Sequence, residues 1–274
     1  MTAAEVKPDD SFQYQTAEDD SVPLDPNSKF YLDHVSRYWW AADQAVGKSV
    51  LDCACGKGYG SYIMSHKAKR VLGVDLNPES LAIASETFKR DHLEYRKRDV
   101  LEVASIEGQF DLITAFEIIE HIHPPTTDDF VSAIARALNP QGKLLLSTPN
   151  HDVVLKSGVY VPDFHINNLR ATETKAVLSR HFSQVTMLGQ WVPKGGLRDL
   201  VFQLDFFNWR HLLRHLKRST PSESAPVAAE KPKTPEKPDA KMFDEPPEKI
   251  KPYRFDPNCW RQAGLTVAVC EGPK

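Results

Sequence analysis

Cysteine is scarce in this chain: four in 274 residues, at Cys53, Cys55, Cys259 and Cys270. That number gives no dense disulfide framework, and two thiols two residues apart do not make a metal site. They read as small buried residues of a protein kept in a reducing compartment. The first residues, MTAAEVKPDD, also lack the charged-then-apolar pattern of a secretory signal. No apolar run reaches the ~18 residues that a membrane-spanning helix requires. Charge is nearly balanced at −3, so the whole-molecule field gives no push toward nucleic acid. Internal repeats are absent. A cytoplasmic protein with no nucleic-acid partner is therefore expected, and the 41% of hydrophobic residues suffices for a full core.

What is present falls into zones. Residues 1–25 are acidic and polar and read as a flexible arm. Apolar residues then recur at threes and fours over 26–46 (Phe30, Leu32, Val35, Tyr38, Trp39, Ala42, Val46), which predicts a helix. From Lys48 short apolar runs alternate with helical stretches. Strands are expected at 49–54, 70–75, 93–100, 110–117, 142–149 and 183–190, with helices to about His66 and over 78–90, 127–138 and 172–181. Such alternation implies an α/β fold, a doubly wound, mostly parallel sheet covered on both faces. The alternation stops at 191. Residues 197–218 read as an amphipathic basic helix, with five Lys/Arg against two Asp within 198–218. From 219 to 251 the chain is rich in Pro, Glu, Lys and Ser, a composition expected to stay disordered. The last apolar run, 265–271, is expected to return to the sheet beside 183–190 as a seventh, antiparallel strand. On this scheme 26–190 and 265–274 form one domain, and 191–264 is an insertion into it.

The chemistry-bearing segment is Val50 to Gly60, VLDCACGKGYG: a strand, a Gly-rich turn and a helix start. Ligands of doubly wound sheets lie at the carboxyl ends of the strands, where glycines permit close approach and the next helix offers unpaired N–H groups. Gly-x-Gly alone is weak evidence, and G-x-G-x-G is not the dinucleotide fingerprint. Asp52, before the glycines, would repel a pyrophosphate, which argues against an NAD-dependent oxidoreductase. It would tolerate a ligand carrying an ammonium and a sulfonium. Asp75 ends the second strand, where an acid accepts ribose hydroxyls. Asp99 ends the third, where one can take an adenine amino group beside Val100.

On these residues the chain resembles the class I S-adenosylmethionine-dependent methyltransferases, across roughly 48–190 and 265–271. The resemblance implies a seven-stranded Rossmann-like sheet and S-adenosylmethionine as cofactor. It assigns the methionine part to Asp52, Gly56 and Gly58, the ribose to Asp75, and the adenine to Asp99 and Val100, with Cys53, Ala54 and Leu76 also in the cofactor-binding set. Phe116 and Glu117 would face the transferred methyl. Lys57 departs from the pattern and adds a cation near the cofactor mouth.

A second constellation, FEIIEHIHP over 116–124, places Glu117, Glu120 and His121 on one turn after the fourth strand. Two carboxylates and an imidazole can bind Mg2+ or another divalent cation, or supply a general base. Glu-x-x-Glu-His resembles the magnesium-dependent O-methyltransferases of ubiquinone biosynthesis. It also resembles small-RNA 3′-end methyltransferases, which add a distant histidine that His165, in DFHINNL, would supply. The metal set implied is thus Glu117, Glu120, His121 and His165; without a metal, Glu120 and His121 would serve as helix-start and loop contacts. As catalytic residues, His121 is the first candidate base and His165 the second, with Glu120 beside them. RYWWAA (37–42), YGSYIM (59–64), DFHINNL and Gly189-Gln190 together resemble methyltransferases of polysaccharide and lipopolysaccharide clusters. That ensemble implies a sugar hydroxyl as acceptor, with a quinone-like phenol or an RNA 3′ end as alternatives. A module that binds the cofactor without turnover is a further alternative. The 197–218 helix is expected to pack on the domain, or else to touch an anionic membrane surface.

Overall fold

The computed structural model describes residues 26–157, 161, 163–197, 199 and 238–274. The chain opens with α1 (Lys29–Gln44), β1 (Ser49–Cys53), α2 (Tyr59–Ser65), β2 (Arg70–Asp75), α3 (Pro78–Thr87) and β3 (Leu93–Lys97). It continues through β4 (Phe110–Phe116), α4 (Thr127–Ala137), β5 (Leu138–Pro149), α5 (His151–Ser157), α6 (Ala171–His181) and β6 (Phe182–Trp191). After the insertion come β7 (Arg254–Asp256) and β8 (Leu265–Pro273).

The strand order is β3-β2-β1-β4-β5-β8-β6-β7. β1 to β5 pair in parallel, and β8 runs antiparallel between β5 and β6, from Ser147 opposite Val267 to Gly189 opposite Thr266. The order reverses between β1 and β4, so the crevice for a ligand opens at their carboxyl ends.

Each face of the sheet has its own core because successive strand residues point to opposite sides. Leu51, Ile113, Leu144 and Leu146 pack against Phe130, Val131 and Ile134 of α4. Val50, Leu112 and Leu145 pack against Tyr31, Val35 and Tyr38 of α1 and Ile63 of α2. α4 forms where Thr127-Asp-Asp opens an apolar stripe with acids at its positive end, and α3 is capped by Asn77, whose side chain accepts the Glu79 and Ser80 N–H groups.

The expected mostly parallel sheet with an antiparallel strand beside 183–190 is present. Three details differ. The sheet has an eighth strand, β7, on the outer edge of β6 over Gly189–Trp191; three residues are too few to show a period. The stretch 219–251 was expected to be disordered throughout, yet its described part folds. Ala240–Phe243 and Glu248–Ile250 form 3₁₀ turns, and Phe243 and Ile250 are buried in the α1/α2 core. Average composition hid two apolar anchors. Third, β3 ends at Lys97, so Asp99 does not end a strand: it caps the following 3₁₀ turn and accepts the Leu101 N–H. The 1–25 arm and nearly all of the 197–218 helix lie outside the described residues. Among the described residues no helix is long and apolar enough to cross a membrane.

Candidate active site

The turn after β1 is built from left-handed backbone. Ala54 (φ 57°), Gly56 (φ 52°) and Gly58 (φ 86°) all lie in the positive-φ region. Only glycine adopts it without cost, and at Gly58 space forbids anything larger. A Cβ there would sit 2.6 Å from Ala84 Cβ and 2.8 Å from the Tyr95 hydroxyl, which donates to the Gly58 carbonyl. At Gly56 a Cβ would meet nothing within 4 Å. The backbone is thus open to an incoming group there, while its N–H is fixed on Asp75 Oδ2 at 2.8 Å. Asp75 also accepts the Asn77 N–H at 2.9 Å, so this half-buried carboxylate ties the ends of β1 and β2 together. Leu76 and Asp99 are half-buried, Val100 is buried, and Lys57 is half-buried in the turn.

Asp52, which the resemblance assigns to the methionine part of a cofactor, lies beneath the turn. The residue is fully buried, and its oxygens are engaged by protein hydroxyls: Ser61 and Thr114 each donate at 2.7 Å, and Tyr38 at 3.4 Å. Burial pushes its pKa up to about 6 against the pull of these hydroxyls. Asp52 therefore ties α1, α2 and β4 to β1 from beneath the turn. Cys53 and Cys55 are buried, and burial raises both thiols, which makes them unreactive.

At the end of β4 the chain turns sharply. Glu117 has φ 53°, a strained position for a non-glycine residue. Its N–H donates to the Ser147 carbonyl at 3.0 Å, and the Ser147 hydroxyl donates to its Oε1 at 2.7 Å. Arg37 of α1, only 1% exposed, brings Nη2 to 3.9 Å from the same oxygen. Burial raises the Glu117 carboxyl, and Arg37 opposes that rise. Arg37 Nη1 donates to Gln190 Oε1 at 2.8 Å, whereas Nε and Nη2 have no hydrogen-bond partner among the described residues.

Glu120, His121 and His165 come together as expected. One ligand atom from each lies within 4.8 Å of the others. The His121 and His165 rings meet edge to face at 4.9 Å, and Phe164 stacks on His121. Burial lowers the His121 imidazole, which keeps it neutral and able to accept a proton. Glu120 is 2% exposed; Thr148 donates to its Oε2 at 3.0 Å, and its Oε1 has no hydrogen-bond partner among the described residues. Burial, then the Glu117 charge, pushes the Glu120 carboxyl well above the usual range. Glu117 does not join this set. The positive φ turns it toward Ser147 and Arg37, which corrects the expected four-residue constellation.

The histidine loop is held by Asn167. Its Nδ2 donates to the Ile119 carbonyl at 3.0 Å and to Thr127 at 2.9 Å, while its backbone N–H donates to the Glu120 carbonyl. Sequence reasoning passed over the individual parts played by Arg37, Ser147, Thr148 and Asn167. Their partners are 28 to 153 residues away along these bonds, and no local spacing marks them.

Residues 50–142 match the family described as a methyltransferase domain. The chain is 37% identical over 139 residues to a ubiquinone biosynthesis O-methyltransferase of Dechloromonas aromatica, covering 47% of this chain and 58% of the relative. It is 31% identical over 147 residues to a probable S-adenosylmethionine-dependent methyltransferase of Mycolicibacterium smegmatis, covering 53% and 55%. The chain thus spans little more than half the length of these relatives. The crystal structure of a SAM dependent methyltransferase from Archaeoglobus fulgidus has the same fold, with a TM-score of 0.55, 15% identity, and coverage of 88% of this chain and 94% of that one. Residues 50–142 thus carry a match to a methyltransferase domain, and the chain shares the fold of a SAM dependent methyltransferase.

Proposed function

We propose that the protein is an S-adenosylmethionine-dependent O-methyltransferase acting on a hydroxyl of a small molecule. The observation that carries the hydroxyl assignment is the meeting of His121 and His165 at 4.9 Å, on the carboxyl edge of the sheet that also holds the glycine turn. The residues fit the cofactor: Gly56 leaves its backbone uncovered, Asp75 stands at the end of β2, and Arg37 keeps two nitrogens unspent beside Glu117. A guanidinium edge with two donors suits a carboxylate, so Arg37 is the residue to hold the cofactor's amino-acid carboxylate.

When bound, the cofactor would supply a sulfonium methyl as the electrophile, with its neutral thioether as the leaving group. The chain's own contribution is placement, worth several kcal/mol when donor and acceptor are held near attack distance. Phe116 and Glu117 border the end of β4. His121, kept neutral by burial, takes the acceptor proton at a ring nitrogen, and His165 stands ready as the second base. Glu120, His121 and His165 also fit a divalent cation: two imidazole nitrogens and a carboxylate oxygen lacking a partner. Such a cation would lower the pKa of the acceptor hydroxyl.

The names of the relatives point to a phenolic acceptor, and they lend no support to a glycan. A sugar hydroxyl therefore enters as a competing arm of the test. Calorimetry with S-adenosylmethionine and with NAD comes first, with heat expected from the former alone. Labelled-methyl transfer is then measured over phenols, hydroquinones and sugar nucleotides. Absence of binding to S-adenosylmethionine would remove the proposal; transfer to sugars and not phenols would replace the acceptor.

A further inference from the structure

Gln190, at the carboxyl end of β6, has its side-chain oxygen and both its amide hydrogens engaged. Its Oε1 accepts Arg37 Nη1 at 2.8 Å, and its Nε2 donates to the Asp33 carbonyl and the Ser36 hydroxyl, each at 2.9 Å. The side chain is buried, and all three partners belong to one stretch of α1. Its amide orientation is fixed by this pattern, because reversal would set the amide hydrogens against a guanidinium and its oxygen against a carbonyl.

We infer that Gln190 is a positioning residue that aims Arg37. An arginine side chain has many rotamers to lose, and a buried one spends its donors only on groups in line with its fixed planar fork. Here Nη1 is tethered to Gln190, which orients the remaining Nε and Nη2 edge away from β6. Nη2 reaches 3.9 Å from Glu117 Oε1, at the methyl-transfer end of the crevice. The two bonds from Nε2 lock α1 itself against β6, so the guanidinium is fixed in rotation and in height. Asp33 is held in turn by Tyr253, whose hydroxyl donates to Oδ1 at 2.6 Å. The consequence is selective: Gln190 sets affinity for ligands bearing a carboxylate at this end and leaves the nucleoside contacts of Asp75 and Val100 alone. This inference rests on the cofactor assignment above.

The test is calorimetry with S-adenosylhomocysteine and with its decarboxylated analogue, on wild type, Gln190→Leu, Arg37→Gln and the double variant. Wild type is expected to prefer the carboxylate-bearing ligand by about tenfold or more, the weight of a charge-assisted hydrogen bond. Gln190→Leu should lose most of that preference with the analogue's affinity unchanged, and should add nothing to Arg37→Gln. Gln190→Met, which keeps the length of the side chain and offers Nη1 no comparable acceptor, gives the same loss should the leucine variant fail to fold. An equal loss for both ligands, additivity with Arg37→Gln, or no preference in wild type overturns the inference. Wild type that binds neither ligand removes the cofactor assignment and the inference with it.

Discussion

The Tyr38 ring occupies the space that a side chain at position 60 would need: a Cβ on Gly60 would lie 2.1 Å from the ring's Cζ and 2.2 Å from Cε1. The same ring stands edge-on to Tyr59 and to Phe116, and its hydroxyl reaches Asp52. Helix α1 is thereby pressed onto the start of α2, immediately behind the glycine turn.

Gly60→Ala should cost about 1–3 kcal/mol, the range for overpacking a core, because the ring it meets is buried on every side. Thermal unfolding measures the loss. Tyr38→Ala introduced into the Gly60→Ala protein should add less than it costs in the wild type, since it removes the clash as well as the packing. Strict additivity of the two changes would contradict the contact.

Asp52 predicts a pH dependence of stability. Its pKa rises from the ordinary 3.8 to about 6 because it is buried. Between about pH 4 and 6 the native state thus holds a proton that the unfolded chain has released. Stability contributed by this residue falls as pH rises through that window, by about 3 kcal/mol in full. Asp52→Asn cannot titrate, so its Tm should gain on the wild type from pH 4 to 6.5. A parallel course for the two proteins would place the native pKa near its ordinary value.

The histidine cluster separates base from metal. His121→Ala should lower kcat by about 10²–10⁴-fold, with cofactor affinity unchanged by calorimetry. Glu120→Gln keeps shape and the Thr148 contact but weakens the carboxylate as a ligand. If a divalent cation is used, EDTA should abolish wild-type transfer, and Glu120→Gln should require more added Mg2+ to recover it. Turnover indifferent to both would leave His121 acting as a base alone.

Asn167→Ala should act on the site through the loop. The substitution strips donors from the Ile119 carbonyl and from Thr127, which costs about 1–3 kcal/mol for buried groups left unsatisfied. It should also lower kcat more than it raises the KM for cofactor, because His165 loses its register against His121 while the glycine turn is untouched. A fall in Tm with unchanged kcat would make Asn167 purely structural.

By itself the sequence determined the frame. Short continuous apolar runs alternating with helical stretches set the parallel sheet, and the positive-φ demand of the turn after β1 shows as glycines at 56 and 58. Glu120, His121 and His165 were visible as chemistry because their residue types are rare in a core. Only tertiary structure decided how these pieces meet. Asp52 stood out as an acid before the glycines, and its part as a buried tie is set by helices α1 and α2, which bring Tyr38 and Ser61 to it. Glu117 left the metal set because its backbone angle, held by Ser147 from β5, turns it toward Arg37. Phe243 and Ile250 are anchors within a stretch whose composition resembles disorder, and Gln190 binds a helix some 153 residues earlier in the chain. Local preference fixes φ, ψ and period, whereas the partner of a buried polar group is set by whichever distant segment closes over it, and no local pattern carries that information.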